Sequence, residues 1–163
     1  MDLADSFVRG MRRLASGVCV VTATAADGTR CGLTATAVSS LSLHPPSLVV
    51  GVSRQTWLGQ VIVDAPAFAV NILGTQHRRV AEVFAGRVDG VRGTSRFDHG
   101  DWLSADGVPV LADAPARVVC KVDDIVERAT HLLLIGAVTD VHVSDDDCDL
   151  LVYFSQNFAA IGK

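Results

Sequence analysis

The chain has 163 residues, 49% of them apolar, and a formal net charge of −4. That length and apolar content predict a single folded domain over 1–163 with its own core and exclude a disordered chain. The acidic balance excludes general nucleic-acid binding, which needs a basic face; the longest apolar runs, such as 132–138, are too short to cross a bilayer; and Met1-Asp2-Leu3-Ala4-Asp5 lacks the basic-then-apolar plan of a signal peptide, so the expectation is a cytoplasmic protein with no membrane partner.

Leu3, Phe7, Met11 and Leu14 recur at helical spacing, with Arg9, Arg12 and Arg13 off the stripe, which predicts an amphipathic helix packed on the domain. Residues 16–25, rich in Val and Thr, predict a strand; the Asp27-Gly28 step predicts a turn, and 30–38 return as the hairpin partner. On that return strand Thr34 and Thr36 share one face, and Leu33, Ala35 and Ala37 the other. Pro45-Pro46 cannot donate to a ladder, so a strand ends there and another follows over 47–53. Residues 56–63 predict a short helix with Trp57, Leu58 and Val61 inward, broken at Ala65-Pro66, and 67–73 a further strand. Thr75 is placed to cap a helix running to about Ala85, with Val80, Val83 and Phe84 on one side.

Gly90, Gly93, Gly100 and Gly107 punctuate a long polar loop around Phe97 and Trp102. Strands are predicted over 117–126, 131–143 and 150–154, with a short tail after the last. The acidic stretch 145–149 between the last two reads as a solvated hairpin tip, because the EF-hand ligand pattern is missing. The sum is about seven mostly hairpin-linked strands with about three short helices and no βαβ series, which predicts an antiparallel barrel or sandwich.

The cysteines at 19, 31, 120 and 148 form no CxxC pair and have no His pair beside them, so no metal site is expected; Cys19, Cys31 and Cys120 lie in apolar runs and read as buried thiols. The chain has no GxGxxG, no Walker loop, no GxSxG elbow and no HExxH, and its histidines at 44, 77, 99, 131 and 142 are scattered. What remains is a ribbon of small and hydroxyl-bearing residues before Pro45-Pro46, along which a large flat ligand could lie close to the backbone and meet N–H and hydroxyl donors. A second donor-rich cluster, Ser53-Arg54-Gln55-Thr56, follows the next strand.

Several pieces, in order and spacing, carry a family resemblance over most of the chain. They are 14–22 (Leu-Ala-Ser-Gly-Val-Cys-Val-Val-Thr), Gly32-Leu33-Thr34-Ala35-Thr36-Ala37, 40–48, 68–73, Phe84-Ala85-Gly86, and Thr130-His131-Leu132 before Ile135-Gly136. The chain resembles the short-chain flavin reductases, typified by the small reductase components of two-component flavin-dependent monooxygenases. The resemblance implies a mainly β fold, an FMN-binding antiparallel split β-barrel of Greek-key type. It also implies a homodimer binding FMN or FAD near the subunit interface, NADH or NADPH as hydride donor, and a separate monooxygenase that receives reduced flavin.

By motif, Thr34, Ala35, Thr36 and Ala37 are expected along the flavin, Ser53, Arg54, Gln55 and Thr56 at its ribityl-phosphate end, and Asn71, Phe84, Ala85 and Gly86 at further flavin-side positions. His131 matches the histidine facing the nicotinamide and is the expected catalytic position. Many members carry Gly-Asp before that histidine where this chain has Ala129-Thr130, which leaves the pyridine nucleotide open. Two other readings stay open: a flavin carrier or sensor of the same fold without reductase activity, and a split-barrel enzyme using another ligand such as a deazaflavin, haem or pyridoxine phosphate.

Overall fold

The computed structural model describes residues 2–162. Asp2 caps a helix, α1 (Leu3–Met11), by accepting a hydrogen bond from the Asp5 N–H at 2.8 Å. The apolar stripe is there, yet none of the residues of α1 is buried. The expectation that it packs on its own domain is overturned: the helix is tied at its C-terminal end, where the Arg12 carbonyl accepts from the Ser155 N–H at 3.0 Å, and its apolar face is left open.

The strands that follow are β1 (Ser16–Gly17), β2 (Cys19–Thr24), β3 (Arg30–Ala35), β4 (Val38–Leu43) and β5 (Pro46–Ser53). A cis His44–Pro45 peptide lies between β4 and β5. After α2 (Trp57–Val61) and β6 (Ala67–Ile72), a single 3-10 turn (Thr75–His77) leads into α3 (Arg78–Phe84). Gly74 rather than Thr75 occupies the cap position, where the His77 ring accepts from its N–H at 3.1 Å. A second 3-10 segment (Gly93–Asp98) precedes the hairpin β7 (Trp102–Ala105) and β8 (Val108–Leu111), and the chain closes with β9 (Ala116–Arg128), β10 (His131–Val143), β11 (Leu150–Phe154) and β12 (Asn157–Ile161). β4 escaped the sequence reading because most of it is exposed and hydroxyl-rich, and β12 because its turn is built on Ser155 and Gln156, non-glycine residues at positive φ.

The architecture is the expected mainly antiparallel one. Seven strands form one sheet in the order β3-β2-β6-β9-β10-β5-β4, and β1-β11-β12 form a second. The two edges of the large sheet, β3 and β4, are consecutive in sequence and joined only by Thr36-Ala37, so the sheet must curl until its edges face each other. The edges are not laddered together; the Gly51 N–H on β5 reaches across to the Ala37 carbonyl at 2.8 Å.

Alternation fixes what faces the inside: Leu48, Val50 and Val52 on β5 and Leu132, Leu134 and Gly136 on β10 are buried while their neighbours are not. Gly136 is small because a Cβ there would meet the Phe68 ring at 2.6 Å. α2 plugs the curled sheet with Leu58 and the following Ile62. A second core forms where Val80, Val83 and Phe84 of α3 meet Val18, Leu73, Phe97 and Leu111. Each such fully buried Leu, Phe or Val side chain contributes roughly 1.5–3 kcal/mol.

Cys19, Cys31 and Cys120 are buried and free, and burial pushes their thiols up to about 12, 11 and 12. Among the described residues no cluster of His, Cys, Asp and Glu is placed to hold a metal ion, and no helix is long and apolar enough to cross a membrane.

Candidate functional site: a groove along the split

The curl leaves a groove of about 570 Å³ beside the β3 edge. One wall is the continuous run Gly32 to Ala37. The opposite side carries Gly51 and Ser53 of β5, then Gln55 and Thr56, then Trp57 and Leu58 of α2. Phe84 and Ala85 at the end of α3, Gly93 and Arg96 of the second 3-10 segment, and His131 complete it.

Small residues leave the groove its room. A Cβ at Gly51 would meet the Ala37 Cβ at 3.1 Å, and one at Gly32 would meet the Phe84 ring at 2.9 Å. Thr34 does not offer its hydroxyl: it donates to the Ala81 carbonyl at 2.7 Å and ties β3 to α3. Thr36 is exposed and also borders a second, smaller groove lined by Phe7, Met11, Leu14 and Tyr153. The ribbon therefore presents chiefly backbone and small side chains.

The 53–59 corner is rigidly built. The Ser53 carbonyl accepts from the Thr56 hydroxyl at 2.7 Å, and the Thr56 oxygen accepts from the Gly59 N–H at 3.1 Å, capping α2. Gly59 is required there, because a Cβ would collide with the Ser53 carbonyl oxygen. The Thr56 side chain is thus committed to the cap. Trp57, expected inward, is instead at the groove rim and more than a third exposed, while Leu58 is buried.

His131 is exposed and begins β10, opposite Ser53 in register. Its Nδ1 lies 2.8 Å from the Thr130 hydroxyl, which orients the ring. The preceding Ala129 sits at φ 48°, the left-handed region that costs a residue with a Cβ roughly 1–2 kcal/mol.

Three of the residues expected at the site are not in the groove wall. Arg54 turns to solvent and pairs with Glu127 of β9 at 3.3 Å. Asn71 is completely buried in the sheet: its amide donates to the Val20 carbonyl at 3.0 Å, and its oxygen accepts from the Leu111 N–H at 2.8 Å. With both ends of its amide engaged in holding β2, β6 and β8 together, it has no face toward a ligand. Gly86 is the left-handed terminator after α3, at φ 71°, and lies behind Ala85 near the Arg96 guanidinium. Phe84 is in the wall but is also a core residue, packed edge-on to Phe97 at 5.0 Å.

The sequence reading did not find Arg96. It lies in the stretch read as a polar loop, and only the fold brings it beside Gly32 and Phe84, whose carbonyls its Nη1 approaches at 3.3 and 3.4 Å. Burial, and then the nearby Arg92, hold its pKa below the ordinary arginine value. Arg96 is the sole Lys or Arg in the wall among the described residues, and the wall has no carboxylate. A small-residue groove with one cation and no fixed negative charge suits a flat ligand that carries an anionic group.

Comparison with known proteins assigns the chain to a family. The flavin reductase like domain family matches residues 11–162. The chain is 34% identical over 160 residues to the reductase component of the FADH(2)-dependent resorcinol hydroxylase of Rhizobium sp. (strain MTP-10005), covering 97% of this chain and 88% of that one. It is 35% identical over 156 residues to the NADH:riboflavin 5'-phosphate oxidoreductase of Streptomyces pristinaespiralis, covering 94% and 86%. Among solved structures, flavin reductase PheA2 in its native state superposes with a TM-score of 0.88 at 29% identity, covering 100% of both chains. The flavin reductase component of a bacterial two-component tryptophan halogenase, BorF, superposes at 0.87 with 25% identity, covering 98% and 99%. With the split sheet, the small-residue groove and a family match spanning nearly its whole length, the chain belongs to the flavin reductase like family.

Proposed function

We propose that this protein is an NADH-dependent flavin reductase that receives a flavin in the groove along Thr34, Ala35, Thr36 and Ala37 and passes the reduced flavin to a separate monooxygenase component. The observation that carries the reading is the groove itself: about 570 Å³, walled by a backbone-presenting ribbon, with one guanidinium and no carboxylate. The groove fits a flavin because Gly32, Gly51, Ala35 and Ala37 leave room for a wide ring beside the backbone.

A bound flavin supplies the ring nitrogen, N5, that accepts a hydride from C4 of the reduced nicotinamide. This chain's residues hold and shield. The ribbon from Thr34 to Ala37 supports the ring through backbone groups, Ser53 and Gln55 face the polar end, and Phe84 and Leu58 give an apolar floor that excludes water. His131, at the open rim and oriented by Thr130, positions the nicotinamide. Hydride transfer needs alignment of two rings in a dry site rather than a strong acid or base, which accords with a wall free of Asp and Glu.

The acceptor is FMN or FAD, and the working unit is a homodimer. Support for the dimer comes from the uncovered apolar face of α1, where Leu3 is 87% and Phe7 65% exposed, next to a groove that shares Thr36 with the flavin groove. Free, buried thiols fit a reducing, cytoplasmic setting.

The test is to mix purified protein with NADH and added FMN or FAD and to follow loss of the reduced nicotinamide absorbance. NADH oxidation that depends on added flavin is the expected result. Flavin binding without turnover would reassign the protein as a carrier, and no flavin binding would reject the reading.

A further inference from the structure

We propose that Arg128 is a second anchor for the reduced nicotinamide dinucleotide, taking its pyrophosphate while His131 positions the ring. The proposal rests on the reductase reading of the groove and on the nicotinamide lying at His131. Three observations carry it.

The first is register. β5, β10 and β9 lie side by side, and at their common end Ser53 stands opposite His131 and His131 opposite Arg128. Side chains directly opposite each other on antiparallel strands share a face. Ser53 and His131 both line the groove. Arg128 therefore stands on the groove's face of the sheet, one strand beyond His131, a spacing of about 4.8 Å. In a nicotinamide dinucleotide the pyrophosphate lies one ribose beyond the nicotinamide ring.

The second is the turn. Only Ala129 and Thr130 separate Arg128 from His131, and a connection that short fixes the register of the two strands. Ala129 holds the left-handed conformation at φ 48°, and the Thr130 hydroxyl meets the His131 Nδ1 at 2.8 Å. The backbones that carry the ring-positioning group and the cation are thus set at a fixed separation.

The third is charge. Among the described residues, ion pairs join Arg54 to Glu127, His77 to Asp113 and Arg78 to Glu82, and the exposed Arg128 is in none of them. Its neighbour Glu127 points to the other face of the strand and is taken by Arg54 at 3.3 Å. The chain as a whole is acidic, at −4, so an anionic dinucleotide needs a local cation where it docks. A free guanidinium offers a planar fork of donors that matches phosphate oxygens.

The experiment compares two hydride donors at saturating FMN: NADH, and 1-benzyl-1,4-dihydronicotinamide, which has the same ring and no phosphate. The proteins are the unaltered one, Arg128→Met and Arg128→Lys. Arg128→Met should raise the KM for NADH about fivefold, the effect of an exposed charge pair, with kcat little changed. Its kcat/KM for the benzyl donor and its affinity for FMN should stay within about twofold. Arg128→Lys should fall between, keeping the charge without the fork.

Ionic strength gives a second readout. Added salt should raise the KM for NADH in the unaltered protein and do so less in Arg128→Met, because the screened contact is already gone. An unchanged KM for NADH in Arg128→Met with the same salt dependence, or equal weakening of both donors, would overturn the assignment while the reductase reading stands. No flavin-dependent oxidation of either donor by the unaltered protein would overturn the reductase reading and the assignment with it.

Discussion

Asn71 and the ribbon from Thr34 to Ala37 lie in or beside the same curled sheet, and the fold uses them in opposite ways. Around Asn71 every polar atom of the side chain is engaged by the protein, to Val20 on one side and Leu111 on the other, and the residue is sealed from solvent. Along the ribbon the sheet stops: β3 ends at Ala35, Thr36 and Ala37 cross to β4, and small side chains leave backbone facing an open groove. A polar residue that the protein satisfies from within is a structural part, and a run of backbone beside open space is a binding surface. Residue type alone does not separate the two; position relative to the split does.

The comparison breaks most sharply at Asn71. Asn71→Ala should lower the unfolding free energy by about 3 kcal/mol, because it strands the buried Leu111 N–H and removes the side-chain bond to the Val20 carbonyl. Urea unfolding reads this loss, and flavin affinity of the folded protein should stay the same. A variant of full stability that binds flavin poorly would place Asn71 at the site after all.

Gly51→Val is the matching change on the groove side. A side chain there presses on Ala37 and fills the space over the ribbon, so flavin-dependent NADH oxidation should fall by about a hundredfold, as a displacement of reacting groups by about an ångström can cost. Circular dichroism should show the β-sheet intact. Normal turnover in this variant would mean that the ring lies elsewhere.

At the rim, His131→Ala should raise the KM for NADH by about tenfold, the effect of one lost positioning hydrogen bond, with flavin binding little changed. Equal loss of nicotinamide and flavin binding would count against its role. The smallest effect is expected at the turn before it: Ala129→Gly should stabilise the protein by about 1 kcal/mol by removing left-handed strain, seen as a higher melting temperature.

Much of the sheet could be read from the chain. Val and Thr runs bounded by Asp27-Gly28 or Pro45-Pro46 mark β2, β3 and β5 because turn chemistry and the missing proline N–H are local causes. β10 was legible to the residue, from His131 to Val143. β8 and β12 were not: β8 is four residues including a proline, and β12 has no glycine at its turn. α1 was legible as a helix, but its amphipathic spacing cannot say whether its apolar face meets its own domain or something else.

At the site, the ribbon could be found because small residues in sequence remain neighbours in space. Arg54 and Arg96 could not be told apart that way. One stands beside Ser53 and is drawn off by a glutamate on β9; the other is distant in sequence and is brought in by the packing of Phe97 against Phe84. Asn71 misled for the same reason, since its partners Val20 and Leu111 come from strands far apart in the chain.

Amide hydrogen exchange with and without FMN tests the central claim most directly. FMN should slow exchange at the Thr34, Ala35, Thr36 and Ala37 amides and leave the segment around Asn71 as it was. Protection that appears elsewhere, with the ribbon exchanging at the same rate in both states, would contradict the account.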